Sequence, residues 1–188
     1  MSKSSNKILE VAEQLFNEYG YTSVGVDLIR DVSKTSKSTM YTYFKSKNQL
    51  INEVLKRRDV NFRTSLRGFV MNAEYTDIER ISKLFEWHFN WFKSASFNGC
   101  MFIKVALDLP RDDKSALVIA MQHKIWLQRF ITEILREAKD NKLMAELIFN
   151  VLEGLINRFL VFGFDEEIAS YSLDSILRIY GFTNNAVP

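Results

Sequence analysis

Proline occurs at only two positions in this chain, Pro110 and Pro188. Proline breaks helices because its ring removes a backbone donor and clashes with the preceding turn. Glycine, the next strongest breaker, occurs seven times in 188 residues. No run of alternating apolar and polar residues bounded by turn signals reads as a strand. With 47% hydrophobic residues a sizeable core can form. These features together predict an all-α fold of about nine helices.

Apolar periodicity and capping residues place the helices. The first is expected from about residue 5 to Tyr19, with Ile8, Ala12, Leu15 and Tyr19 on one stripe. Gly20 then supplies a left-handed stop. A second helix is expected over Val26 to Val32. A third follows Ser36, a good N-cap, and runs to Tyr43. Only Ser33 to Thr35 remain between them, the spacing of a helix-turn-helix. Ser46-Lys47-Asn48-Gln49 and Thr76-Asp77-Ile78-Glu79 read as capping boxes opening a fourth and a fifth helix, the fourth running to about Phe69. A sixth is expected from Gly99 to Leu109, stopped by Pro110, and a seventh from Asp112 to Lys139. The eighth and ninth span about 141–162 and 165–180, with Gly163 and Gly181 at their ends and a frayed tail from Phe182 to Pro188.

Several function classes find no support. Cys100 is the only cysteine, so no intrachain disulfide forms. The N-terminus lacks the apolar stretch of a signal peptide. The most apolar segment, Leu143 to Phe164, is interrupted by Glu146, Asn150, Glu153, Asn157 and Arg158, which argues against a membrane span. The expected location is the cytoplasm. No catalytic carboxylate pair, triad or phosphate loop stands out, so no enzyme activity and no cofactor are expected. His88, His123 and Cys100 form no metal-ligand spacing.

Charge is unevenly placed. Residues 34–58 hold seven basic residues (Lys34, Lys37, Lys45, Lys47, Lys56, Arg57, Arg58) against one acid, Glu53. Such a stretch suits a polyanion, although a solvated helix face has the same composition. The third helix sharpens the choice. At 100° per residue, Met40 and Phe44 share an apolar stripe, while Lys37, Ser38, Tyr41 and Thr42 face away from it. Lysine, hydroxyls and a phenol are groups that bond phosphates and base edges. Lys47 opens the fourth helix, where its charge opposes the helix dipole unless a phosphate binds there.

The residues Tyr19-Gly20-Tyr21, Val26-Asp27-Leu28-Ile29 and Ser36-Lys37-Ser38-Thr39-Met40-Tyr41-Thr42-Tyr43-Phe44-Lys45-Ser46-Lys47-Asn48-Gln49-Leu50 resemble the N-terminal domain of the tetracycline-repressor (TetR/AcrR) family. The resemblance covers about residues 4–55. It implies a transcriptional regulator, a repressor released from double-stranded operator DNA by a small apolar effector, working as a homodimer. It implies a three-helix helix-turn-helix domain over residues 1–48 and a helical ligand-binding and dimerisation domain over 49–188. By position it makes Lys37, Ser38, Thr39, Tyr41, Tyr43 and Lys47 the DNA contacts, with Met40, Phe44 and Leu50 in the core. Lys34 stands where the family has its turn glycine, which predicts a strained or left-handed residue there. Thr35 replaces the usual valine, and Gly25 replaces the usual Ser or Thr cap of the second helix.

The chain beyond residue 60 holds 19 of the 25 aromatic residues. Ordinary core accounts for many of them. A pocket between helices is the functional alternative, with Trp87, His88, Trp91, Phe102, Trp126 and Phe130 as lining residues and His88, Asn90 and Gln122 as polar handles. The apolar faces of the last two helices look too wide for one side of packing. Leu155 and Ile176 are therefore expected at a four-helix dimer interface. A helical enzyme with an aromatic cavity and an interaction module without DNA binding are the competing readings.

Overall fold

The computed structural model describes residues 2–109 and 114–185. Nine helices lie among the described residues, in the order α1 (Lys3–Tyr19), α2 (Val26–Ser33), α3 (Lys37–Tyr43), α4 (Lys47–Val70), α5 (Asp77–Lys93), α6 (Met101–Asp108), α7 (Lys114–Ile134), α8 (Asn141–Phe162) and α9 (Glu166–Asn185). No strand occurs among those residues, so the all-α expectation holds. Pro110, the expected stop, and Asp112, the expected start of the seventh helix, lie outside the described residues, as do Ala186 to Pro188.

Helix starts follow the local sequence. The Ser2 hydroxyl accepts the Ser5 amide at 3.2 Å, and the Ser36 hydroxyl accepts the Thr39 amide at 3.0 Å. At α5 the capping box is complete. Thr76 Oγ1 accepts the Glu79 amide at 3.3 Å and Glu79 Oε2 accepts the Thr76 amide at 2.8 Å. At α4 the reciprocal bond differs from expectation. Ser46 Oγ accepts the Gln49 amide at 3.1 Å, but Gln49 Oε1 reaches one residue further back, to the Lys45 amide at 2.9 Å.

Helix ends follow it less well. Gly20 and Gly163 terminate α1 and α8 with φ of +82° and +79°, yet with ψ of 168° and 170° they are extended on the other side rather than left-handed helical. Gly181 stops nothing. α9 runs through it to Asn185, supported by the Thr183 hydroxyl donating to the Ile179 and Tyr180 carbonyls at 3.2 and 3.0 Å. Phe182 is therefore helical and not part of a frayed tail. The seventh helix ends at Ile134, before the expected Lys139, because the Glu137 amide is taken by Asp77 Oδ2 at 2.7 Å. Gly99 lies outside α6 at φ +78°.

The chain forms two compact units. The first comprises Met1–Phe62 and Cys100–His123, the second Arg63–Gly99 and Lys124–Pro188. α4 and α7 each contribute to both. This division differs from a boundary at 48/49, because α6 and the first half of α7 join the N-terminal helices. In the first unit α1 buries Ile8, Leu9, Ala12 and Phe16. Tyr19, expected on that stripe, is exposed. In the second unit α5 packs against α8 and α9, burying Ile81, Leu84 and Phe85 on one side and Ile148, Leu152 and Ile156 on the other. No helix among the described residues is long and apolar enough to cross a membrane.

Candidate nucleic-acid interface

Residues 25–50 build the candidate interface from two short helices and the start of a third. Gly25 caps α2 with an extended backbone and no side-chain bond. At the other end Lys34 adopts φ +53° and ψ +42°, the left-handed conformation expected there. It is the one non-glycine residue with positive φ among the described residues. Its amide donates to Asp31 O at 3.3 Å, and the Thr35 amide to Arg30 O at 3.2 Å, which closes the turn into α3.

α3 buries Met40, with Phe44 buried just beyond its end. The opposite side carries the polar set. Lys37, Ser38, Tyr41 and Tyr43 are exposed, while Thr39 and Lys47 are half-buried. Thus all six residues expected to touch DNA lie on or beside one short stretch. The Ser36 hydroxyl lies 2.8 Å from Ser38 Oγ and 2.7 Å from Thr39 Oγ1. This ties the two hydroxyls to the N-cap and orders them at the first turn. Thr42 Oγ1 instead donates back to Ser38 O at 2.9 Å.

The Lys37 ammonium sits 3.7 Å from Asp27 Oδ1, with both groups exposed. Exposed pairs of this kind are weak, so Lys37 can leave Asp27 for a phosphate at little cost. Lys47 is held differently. Its Nζ donates to the Thr22 carbonyl at 3.4 Å. Partial burial lowers its pKa below the ordinary lysine value. Beside it, Val26, Met40, Tyr41, Phe44, Ser46, Lys47 and Leu50 line a depression of about 10 Å³. That is room for one water molecule, far short of a ligand pocket. Asp27 enters the sequence reading only within the Val26–Ile29 motif, and Thr22 not at all. Nothing local marks Thr22, whose partner lies 25 residues away.

The expected pocket residues are divided between the two units. Phe102 belongs to the first unit, where it stacks on His123 at 3.7 Å and 11°. The other five belong to the second unit. There Trp87, His88 and Trp91 form one group on α5, with ring centroids 5.1 to 6.3 Å apart. Trp126 and Phe130 form another on α7, stacked at 5.1 Å with the Arg63 guanidinium 4.9 Å from the Trp126 ring. His88 is fully buried and donates Nδ1–H to the Leu84 carbonyl at 2.7 Å. Trp87 donates its indole N–H to Ser65 Oγ at 3.0 Å. Asn90 and Gln122, expected as polar handles, are both exposed on their helices. Among the described residues no cluster of three or more His, Cys, Asp or Glu could hold a metal ion.

Leu155 and Ile176 also need correction. They are 5% and 1% exposed within a single chain, so the inner faces of α8 and α9 are already covered. The large apolar side chains left outside are Leu143, Leu160, Val161 and Phe162 on α8 and Tyr171, Ile179 and Phe182 on α9.

Residues 8–54 match the family model described as bacterial regulatory proteins, tetR family. The repressor NemR of Escherichia coli (strain K12) is 25% identical over 114 residues, 58% of this chain and 57% of that protein. The chain spans between 25% and 59% of the length of the curated relatives it matches. Solved structures extend the likeness. SCO4454, a TetR-family transcriptional regulator from Streptomyces coelicolor, superposes with a TM-score of 0.83 at 22% identity, covering 94% of this chain and 95% of that one. The TetR-family regulator CifR, solved as a cysteine mutant with a 26-bp double-strand operator DNA, gives 0.81 at 18% identity over 96% and 97%. Residues 8–54 thus match the tetR family of bacterial regulatory proteins, and the chain shares its fold over nearly its whole length with solved TetR-family regulators.

Proposed function

We propose that this chain is a DNA-binding transcriptional regulator that acts as a homodimer on double-stranded operator DNA in the cytoplasm, with no catalytic role of its own. The observation that carries this reading is α3. Its apolar residue Met40 is buried, while Lys37, Ser38 and Tyr41 stand exposed on the other side, with Tyr43 and Lys47 following. An exposed helix of this chemistry, set in a helix-turn-helix, suits the major groove, with its first turn against base edges and the flanking lysine and tyrosines on phosphates. NemR is named a repressor and CifR was solved with operator DNA. The first supports extending repression to this chain, the second operator binding.

The test is a salt titration of binding to duplex DNA. Affinity should fall linearly with the logarithm of salt concentration, and Lys47→Ala should lower that slope by about one. Tyr41→Phe should weaken binding to all sequences alike. A wild-type protein that binds no duplex at low salt refutes the reading.

Dimerisation is assigned to the outer faces of α8 and α9, where Phe162 and Tyr171 are 78% and 71% exposed. The expected solution mass is about 44 kDa, twice the 22.0 kDa of one chain. Tyr171→Glu together with Phe162→Glu should shift it toward the monomer without loss of helicity. Effector sensing is assigned to the second unit, with Trp87, His88, Trp91, Trp126 and Phe130 as the lining, opened when an apolar molecule binds. Release from DNA requires that the effector favour one arrangement of the dimer over another. A thermal-shift screen followed by DNA release checks this. Ligands that stabilise the protein yet leave DNA affinity unchanged refute it.

A further inference from the structure

Asp108 is the last residue of α6, where the helix dipole disfavours a negative charge. Its contacts explain its presence. Asp108 Oδ2 accepts the Tyr21 amide at 3.0 Å, and the Asp108 carbonyl accepts the Thr22 hydroxyl at 2.8 Å. Earlier in α6, the Met101 carbonyl accepts the buried Tyr21 phenol at 3.0 Å, and Lys104 Nζ donates to Asn17 O at 2.7 Å. α6 is thus bonded at three levels to the end of α1 and the turn that follows. Gly20 permits the approach. A Cβ there would lie 2.7 Å from Asp108 Oδ2, and its φ of +82° already excludes most side chains. The same turn is met by Lys47, whose ammonium donates to the Thr22 carbonyl. One residue, Thr22, therefore bonds Asp108 through its hydroxyl and Lys47 through its carbonyl.

We propose that Asp108 is a positioning residue for DNA binding, holding the turn 20–22 so that its carbonyl keeps the Lys47 ammonium ready for a phosphate. The proposal rests on the reading of Lys47 as a phosphate contact. A lysine stem samples many rotamers, and ordering it before contact reduces what binding must overcome. The sign of the effect separates this role from simple electrostatics. Deleting a carboxylate near a polyanion should strengthen binding if only charge matters. Deleting a positioning carboxylate weakens it.

The experiment measures anisotropy of a labelled mixed-sequence duplex against salt for the wild type, Asp108→Ala, Asp108→Asn, Thr22→Val and Lys47→Ala, and for each change in the Lys47→Ala background. Loss of one ordering hydrogen bond predicts an affinity loss of about two- to tenfold for Asp108→Ala, with unchanged circular dichroism. Asp108→Asn, which keeps an acceptor for the Tyr21 amide, should stay within about twofold. In the Lys47→Ala background the Asp108→Ala loss should vanish, because the pair acts as a unit. If Asp108→Ala fails to fold, Thr22→Val carries the test, since Thr22 is exposed and valine keeps its shape. Equal or tighter binding by Asp108→Ala, or an undiminished loss without Lys47, overturns the proposal. If Lys47→Ala weakens binding while Asp108→Ala and Thr22→Val match the wild type, only the positioning role falls. If the wild type itself binds no duplex, the DNA reading falls and takes the proposal with it.

Discussion

The helix-turn-helix and the core of the second unit use their polar groups in opposite ways. In the first, the hydroxyls of the helix-turn-helix bond at short range along the chain and stay at the surface. Ser36 meets Ser38 and Thr39, and Thr42 meets Ser38. In the second, the central polar group is Asp77, 1% exposed. It accepts from Arg80 Nη1 at 3.1 Å, the Glu137 amide at 2.7 Å and the Tyr180 hydroxyl at 2.9 Å. These partners lie up to 103 residues away. A polar surface set contributes little to stability and is free to bind. A buried carboxylate bonded to three partners holds elements together and is closed off from solvent. Changes in the two regions should therefore separate cleanly into binding effects and stability effects.

The largest expected effect is at Ile176→Glu and Leu155→Glu. Each places a carboxylate in the interior of the second unit, at a cost of more than about 4 kcal/mol. Urea unfolding should show the native baseline lost or sharply shortened. A melting curve like that of the wild type would mean that these faces lie outside the core of a single chain. Next comes Asp77→Ala, which strands the Arg80 guanidinium and should cost about 3–5 kcal/mol. Asp77→Asn, retaining an acceptor for Tyr180 and Glu137, should cost less. Equal losses for both would show that charge, not acceptor geometry, matters there. Neither change should alter the salt slope of DNA binding.

Smaller effects are expected in the first unit. Lys34→Gly relieves the left-handed conformation and should raise stability by about 0.5–1 kcal/mol, read as a higher melting temperature. An unchanged or lower value would remove strain from the account of this turn. The smallest effect concerns pH. The free-protein pKa of Lys47 is lowered by burial, and a bound phosphate would raise it again. DNA binds the charged form, so affinity should be flat in pH while Lys47 stays protonated. It should fall on the alkaline side, beginning below the ordinary lysine value of 10.5, as binding starts to require proton uptake. Lys47→Ala should remove that part of the pH dependence. If it does not, another group titrates.

Much of the first unit was legible because its determinants are local. The Ser36 cap, the apolar pair Met40 and Phe44, and the exposed Lys37, Ser38 and Tyr41 follow from spacing within one helix. The Thr76–Glu79 capping box is equally local, as is the strain at Lys34, where a side chain stands in a turn that favours glycine. Aromatic composition was a poorer guide. Nothing in it marks the stacking of Phe102 on His123 within the first unit.

By itself the sequence determined the all-helical class, the starts of α2 to α5 and the composition of the exposed side of α3, because these depend on dihedral preferences, caps and periodicity within a few residues. Only the tertiary structure decided where α7 stops, since a buried carboxylate from α5 captures the Glu137 amide. It alone decided that α9 passes through Gly181, where glycine permits a stop without compelling one. It joined α6 to the helix-turn-helix through Asp108 and the turn 20–22, and it turned Leu155 and Ile176 into one chain's core. These outcomes share one physical reason. A backbone amide or an apolar face has several acceptable partners, and which one it takes depends on residues far along the chain that folding brings beside it.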